Sequence, residues 1–256
     1  MKKFFTIATL VALSLVSCAK EQSQGGVEGE GRVKLNLSID NVVEVTRATT
    51  VIECETPSEE DFSVTIEGVG HTYTAEYDAI PMFNDGDNYL RLGDYVANIV
   101  AGDVNDEGYD KVAFVGSSEF SVSARKQTDV AIVATIANAI VKVEVTDAFK
   151  GYFTDYELTL TTALGKKFDV TKQQEPIFVA PTSFTISGFA TKQSNQSGAE
   201  GVVVTLPEKK VDAAARTFYT VKFDVEQAGS ASLTITLNDT LVETYTIETE
   251  LNDNAK

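Results

Sequence analysis

From residue 32 onward apolar side chains recur at every second position. Val33, Leu35, Leu37 and Ile39 alternate with Lys34, Asn36, Ser38 and Asp40, and Phe62, Val64 and Ile66 alternate with Ser63, Thr65 and Glu67. The pattern returns at Tyr156-Leu158-Leu160, at Tyr219-Val221-Phe223-Val225 and at Leu233-Ile235-Leu237. Successive side chains of a strand point to opposite faces, so this period predicts half-buried strands of antiparallel sheets. Long stripes at helical spacing are absent, and only Asp147 to Phe153 and Asp212 to Arg216 leave room for a turn of helix. The expected fold is all-β: two antiparallel β-sandwich domains in tandem, with Greek-key connections.

Two predominantly apolar stretches, Val130 to Ile136 and Ala139 to Val145, meet at Ala137-Asn138. A strand closing one core and a strand opening another would read this way. The expected division is therefore an N-terminal sandwich over 32–137 and a C-terminal sandwich over 138–256, both of ordinary domain size. Asn238-Asp239 reads as a tight turn that pairs 232–237 with 241–248. Residues 191–201 read as an exposed loop. No repeat of 20 to 50 residues emerges, which argues against propellers and solenoids.

Ahead of these strands, Lys2 and Lys3 precede an apolar run from Phe4 to Val16, the charged-then-apolar pattern of an export signal. Such a run rises only about 20 Å as a helix, too short to span a hydrocarbon core roughly 30 Å thick. Residues 1–17 are read as a signal peptide. Leu15-Val16-Ser17-Cys18 resembles the bacterial lipobox, which makes Cys18 the expected lipid attachment site and first residue of the mature chain. At about 0.8 kcal/mol per buried CH2, several acyl chains hold a protein firmly on a membrane. Residues 18–31 are read as the lipidated Cys and a flexible tether, because AKEQSQGGVEGEG holds too little apolar surface to offset chain entropy. Lys20-Glu21 is similar to the charged cues that send lipoproteins of Bacteroidota-type bacteria to the cell exterior.

The balance of 21 Lys+Arg against 38 Asp+Glu gives a net charge of -17, which repels phosphate backbones and excludes nucleic acid as a partner. On the same ground the body is expected to stand off from an anionic membrane surface. With Cys18 acylated, Cys54 has no partner in its own chain and reads as a small buried apolar residue. Glu53 and Glu55 beside it oppose a reactive thiolate.

A search for chemistry returns little. The sole imidazole is His71 in GVGHTYT, with no Gly-x-Ser-x-Gly elbow to accompany it, so nucleophilic catalysis is not expected. The loops Asn84-Asp85-Gly86-Asp87-Asn88 and Asp103-Val104-Asn105-Asp106-Glu107-Gly108 are rich in oxygen ligands. In the second, however, the twelfth calcium-loop position is Phe114 rather than a carboxylate. Both loops read as solvated turns, and no metal or other cofactor is expected. The chain has no Trp on which to stack a sugar ring. Tyr73, Tyr77, Tyr89 and Tyr109 fall in loops and edges of the first sandwich, and Tyr89 and Tyr109 are the candidate ligand contacts.

The lipobox, the acidic Gly-rich tether, the alternating first strand and Thr46-Arg47-Ala48 together resemble the fimbrillin-type surface lipoproteins of Bacteroidota. The whole chain looks like an uncharacterised lipoprotein family of that group, over roughly residues 30 to 254. That resemblance is carried by Gly93-x-Tyr95, by Val115-Gly116 and the strand Phe120 to Val122, by Ala137-Asn138 and by Glu250-Leu251-Asn252. It implies assembly by strand donation after cleavage at Arg47-Ala48, which would remove Val33 to Ile39. A C-terminal hairpin at Asn238-Asp239 would instead keep the last strand at home, which suits an anchor or accessory subunit better than a polymerising one. The expectation is a non-enzymatic, lipid-anchored outer-membrane protein, surface-exposed, with a structural or adhesive role. Its partners would be the membrane and other fimbrial subunits, or host and surface glycans if it binds sugar.

Overall fold

The structure, a computed structural model, describes residues 29–45, 50–86, 88–172, 175–192, 201–227, 230–237 and 240–247. The first strand, β1 (Glu30–Asp40), turns Val33 and Leu35 into a core and Lys34 and Asn36 outward, as its alternation requires. There follow β2 (Val42–Val45), β3 (Thr50–Glu53), a 3-10 turn at Glu59–Asp61, β4 (Ser63–Val69), β5 (Thr74–Tyr77), α1 (Ile80–Asp85) and β6 (Tyr89–Arg91). Next come β7 (Gly93–Ala101), β8 (Phe114–Val122) and β9 (Gln127–Ile136). The second half contains β10 (Ala139–Val145), α2 (Asp147–Tyr152), β11 (Phe153–Thr162), β12 (Lys167–Asp169) and β13 (Ile177–Val179). It ends with β14 (Ser183–Lys192), β15 (Val203–Asp212), β16 (Phe218–Gln227), β17 (Ser230–Leu237) and β18 (Thr240–Ile247).

The fold is all-β, as the alternation predicts. In the first half one seven-stranded sheet runs β5-β4-β7-β8-β9-β1-β6, with β2 and β3 as a separate pair. The sheet folds over between β8 and β9, whose register runs only through Phe114↔Ile136 and Val115↔Thr135. Ile66 and Ile99 from one side of that fold then share a core with Leu35 and Ile132 from the other. In the second half a five-stranded sheet, β13-β10-β16-β17-β18, faces a four-stranded one, β12-β11-β14-β15. Val141, Phe223, Leu160, Phe184 and Phe149 of α2 fill the space between them. Each half contains one parallel ladder in otherwise antiparallel sheets, β1 beside β9 and β10 beside β16.

Strand pairing divides the chain between Ile136 and Ala139. The two residues between are bonded to both sides. Ala137 N donates to Ala113 O at 2.8 Å, Asn138 Oδ1 accepts from Ala113 N at 2.7 Å, and Asn138 O accepts from Arg216 N at 2.8 Å. Beyond them the start of β10, Ala139 to Val141, is buried on both faces. Ala139, Val141 and Val143 enter the second core, while Ile140 belongs with Phe178 and Phe218 to the first. Register places Phe178 and Phe218 on either side of Ile140, so these three form an apolar row from the second half that packs on the first.

Of the two segments with room for a helical turn, Asp147 to Phe153 forms α2, capped by Thr146, whose Oγ1 accepts from Phe149 N at 3.2 Å. Asp212 to Arg216 instead closes β15 and turns into β16, with Arg216 left-handed at φ 55°. An unforeseen helix, α1, forms around Pro81, which pre-sets the first turn, with Ile80 and Phe83 buried. Asn84 of α1 does the work of a missing strand partner: its Oδ1 accepts from Leu35 N and its Nδ2 donates to Leu35 O, both at 2.9 Å. Asn88 O accepts from Val33 N at 2.8 Å. The edge of β1 next to the three residues paired with β6, at Val33 and Leu35, is thus covered by α1 and its exit.

Candidate functional site

The loop from β7 to β8, residues 102–113, reaches the second half and lines an apolar cleft there. Gly108 and Phe178 exchange backbone bonds, each 2.9 Å, so the loop extends the free edge of β13. Gly108 holds φ 152°, where a side chain is disfavoured. The residues read as a solvated acidic turn include Glu107, which is buried: Oε1 accepts from Ala180 N at 2.9 Å, Lys166 Nζ donates to its carbonyl, and Oε2 has no protein partner. An acid in the run Asp-Glu-Gly-Tyr-Asp gives no sign in sequence that it will be covered by another half of the chain. Beside it Asp106 does remain a surface group, paired with Lys111 at 2.8 Å. The hydrogen bond and charge of that lysine hold its carboxyl below the usual range.

The cleft encloses about 290 Å3 and is lined by Cys54, Glu55, Tyr109, Asp110, Val112, Glu175, Pro176 and Phe178. A second hollow of about 250 Å3, sharing Glu55 and Val112, continues it toward Thr56, Pro57 and Gly102. Tyr109 packs edge-on against Phe168, with centroids 5.9 Å apart. Burial, then the charges of Asp169 and Glu175, push its phenol above the ordinary value. Cys54 is free and buried, and burial raises its thiol pKa, which makes it a poor nucleophile and fits a packing residue. The arrangement offers a small apolar floor, a phenol and a carboxylate rim, suited to a neutral polar or cationic ligand.

The structure does not bring the candidate tyrosines together. Tyr89 is exposed on β6, at the edge of the first sheet, whereas Tyr109 lies in the cleft at the opposite end of that sandwich. Tyr73 and Tyr77 are packing residues, edge-on to Tyr95 at 5.5 Å and to Phe83 at 5.2 Å. His71 is structural: its ring is edge-on to Tyr95 at 4.9 Å and Nδ1 lies 3.2 Å from Val69 O. The ring sits in a slot between Gly68 and Gly93, where an added Cβ would lie 2.6 and 3.0 Å from it. That gives Gly93-x-Tyr95 a packing reason. Cys18 lies outside the described residues. So do Arg47 and Ala48, within the four residues that join β2 to β3, whose ladder ends at Val45↔Thr50. No group of three or more potential metal ligands occurs among the described residues.

A family model described as a domain of unknown function, DUF4493, matches residues 29–253. Comparison with curated proteins finds no match. Among solved structures, the chain is similar to a candidate cell adhesion protein from Parabacteroides distasonis, with TM-score 0.44 and 10% identity over 83% of this chain and 99% of that one. It is similar to candidate polysaccharide binding proteins from Bacteroides thetaiotaomicron, with TM-score 0.41 and 10% identity over 86% and 99%. A third similarity is to the fimbrial anchor protein Mfa2 from Porphyromonas gingivalis, with TM-score 0.41 and 9% identity over 84% and 100%.

Proposed function

The chain belongs to the DUF4493 family, and from that premise we propose that it is a lipid-anchored, non-enzymatic protein of the bacterial outer membrane with a structural or adhesive role, an anchor or accessory subunit of a fimbria. The observation that carries this reading is the polarity of the molecule. The export run and Cys18 precede β1 in sequence by a short tether, β1 starts at one end of the first sandwich, and the second half attaches at the other. No helix among the described residues is long and apolar enough to cross a membrane. In this reading the acyl chains on Cys18 hold one pole and the second half presents the other.

The strand edges support the anchor or accessory role over a polymerising one. β18 is paired with β17 from Ala231↔Ile247 to Leu237↔Thr240, so the last strand among the described residues is engaged within its own chain. Cleavage at Arg47-Ala48 would release β1, which is bound to β9 over nine register positions. Mass spectrometry of intact protein and N-terminal peptides from native outer membrane and sheared surface fractions tests the proposal. An acylated Cys18 start throughout supports a permanent anchor, and a start at Ala48 supports strand exchange. An unmodified Cys18 retained in both fractions overturns the lipid anchor.

The junction cleft favours one second reading, a surface glycan-binding protein. Its concave shape and Tyr109 beside carboxylates are what a sugar ring needs for stacking and hydroxyl contacts. Tyr109→Ala would then abolish binding to an immobilised glycan panel, whereas Tyr89→Ala, remote from the cleft, would leave it intact.

A further inference from the structure

The strand directions define two ends of the first sandwich. At one end the chain enters at Gly29, β1 and the parallel β9 begin, β8 finishes opposite the start of β7 at Val122↔Gly93, and β4 finishes at Val69↔Asp94. These segments are tied together there: Leu92 N donates to Gly29 O at 3.0 Å, Arg125 N to Glu30 O at 2.8 Å and Arg32 N to Lys126 O at 2.9 Å. The other end leads through Asn138 into the second half.

Charge is sorted between these ends. Residues 29–136 carry seven Lys and Arg against twenty Asp and Glu, yet four of the seven, Arg32, Arg91, Arg125 and Lys126, lie at the entry end. The segments that make this end, 29–32, 69–71, 89–94 and 121–126, contain only two acids, Glu30 and Asp94. Glu30 stands opposite Arg91 in the β1–β6 ladder, and Asp94 accepts the Ser121 hydroxyl at 2.5 Å. Arg91, Arg125 and Lys126 are exposed and Arg32 half-buried. Between β6 and β7 a single residue, Leu92, projects with 53% of its surface exposed, and Tyr89 beside Arg32 is exposed as well.

We propose that this entry end is a membrane-docking surface, whose arginines and lysine contact anionic lipid headgroups while Leu92 and Tyr89 enter the interfacial layer. The proposal rests on the lipid-anchor reading of Cys18. Only ten residues, 19–28, separate Cys18 from Gly29, a span of at most about 36 Å when fully extended, so an anchored chain keeps this end nearest the bilayer. The net charge of -17 predicts a body held off the surface, but exposed charges act over a Debye length of about 10 Å, and within that distance the bilayer meets the basic end. Basic groups beside an exposed tyrosine and leucine are the composition that settles at a headgroup layer. The acidic remainder then points the second half outward.

The chain has no Trp, so a single introduced one is a clean reporter. Leu92→Trp, and Val115→Trp near the far end of β8 as a control, are placed in the full acylated protein and reconstituted into phosphatidylcholine vesicles with or without phosphatidylglycerol. Flotation with the vesicles is read alongside quenching by brominated lipid chains. The expected result is that both variants float, with L92W blue-shifted and quenched several-fold more than V115W, and more so with phosphatidylglycerol. Adding Arg91→Glu and Lys126→Glu removes the difference without loss of flotation. Both variants floating with equal quenching overturns the docking surface alone. Failure of the wild-type protein to float overturns the anchor, and the docking surface with it. Urea midpoints matching the wild type exclude misfolding as the cause.

Discussion

β1 and β10 play the same topological part, each the opening strand of its half and each laid parallel to a later strand, yet they are held differently. β1 buries one face, with Val33 and Leu35 inward and Lys34 and Asn36 in solvent, and its outer edge is closed by three residues of β6 and by the side chain of Asn84. At Ala139 to Val141, β10 is flanked by strands on both edges and covered on both faces, so Ile140 and Val141 serve different cores. The first strand could leave and expose one core. The second could not leave without breaking the junction as well.

The largest effects should come from these neighbours in β10. Ile140→Ala is expected to cost about 3 kcal/mol and Val141→Ala about 2, each from lost burial and the cavity left behind. Amide exchange should separate them, with Ile140→Ala speeding exchange in β4 and β7, and Val141→Ala in β11 and β14. If Ile140→Ala leaves β4 and β7 protected, the two halves do not share it, and the contrast with β1 fails. Asn84→Ala follows, at about 2 kcal/mol, because it leaves the amide and carbonyl of Leu35 without partners in a partly buried edge. The Leu35 amide should lose protection first; retained protection would mean that β1 does not depend on its side-chain latch.

This contrast also marks what sequence could and could not carry. The alternation in β1 and the apolar triplet Ala139-Ile140-Val141 that opens β10 are both visible in the sequence, because period two reports one buried face and consecutive apolar residues report two. What covers each face is not visible. Ile140 reads as core, but the chain pattern has no term for a face packed on a different sandwich. Asn84 reads as a turn-forming acceptor in an acidic loop, since its bond to a strand 49 residues away depends on topology. Glu107 is hidden for the same reason. His71 reads in sequence only as an imidazole without a nucleophile to serve, and its slot between Gly68 and Gly93 is a matter of geometry that the sequence does not carry. The poles of the molecule, with cations gathered at the entry end, emerge only once strand directions bring residues 32, 91 and 126 together.

The α2 cap offers a smaller test of how β10 is fixed at its C-terminal end. Thr146 follows β10 directly, accepts from Phe149 N at 3.2 Å and donates to Asp224 Oδ1 of β16 at 2.7 Å, so one hydroxyl joins the cap to the parallel partner strand. Thr146→Ala should cost about 1 kcal/mol in urea unfolding. β1 is continued by β2 with no such cap, and the equivalent change there, Asn41→Ala, removes bonds to Cys54 O and Thr56 Oγ1 instead and should loosen only the β2–β3 hairpin.

The same pair gives the smallest effect, and its sign follows from linkage. The hydrogen bonds from Lys222 and then Thr146 hold the Asp224 carboxyl below the ordinary value of 3.8. A group whose folded pKa is depressed contributes stability that is fully present above the unfolded value and is lost as pH falls through the folded one. The wild type should therefore lose stability on acidification below about pH 4, and Thr146→Ala should flatten that loss, because the native carboxylate then titrates closer to its unfolded counterpart. Asp224 is partly exposed and Lys222 more so, at 24% and 42% of their side-chain surface, so solvent and salt limit the difference to a few tenths of a kcal/mol. Stability curves of the two proteins that run parallel between pH 5 and about pH 3 would mean that the hydroxyl caps α2 without coupling it to β16, and β10 would then be held by its two cores alone.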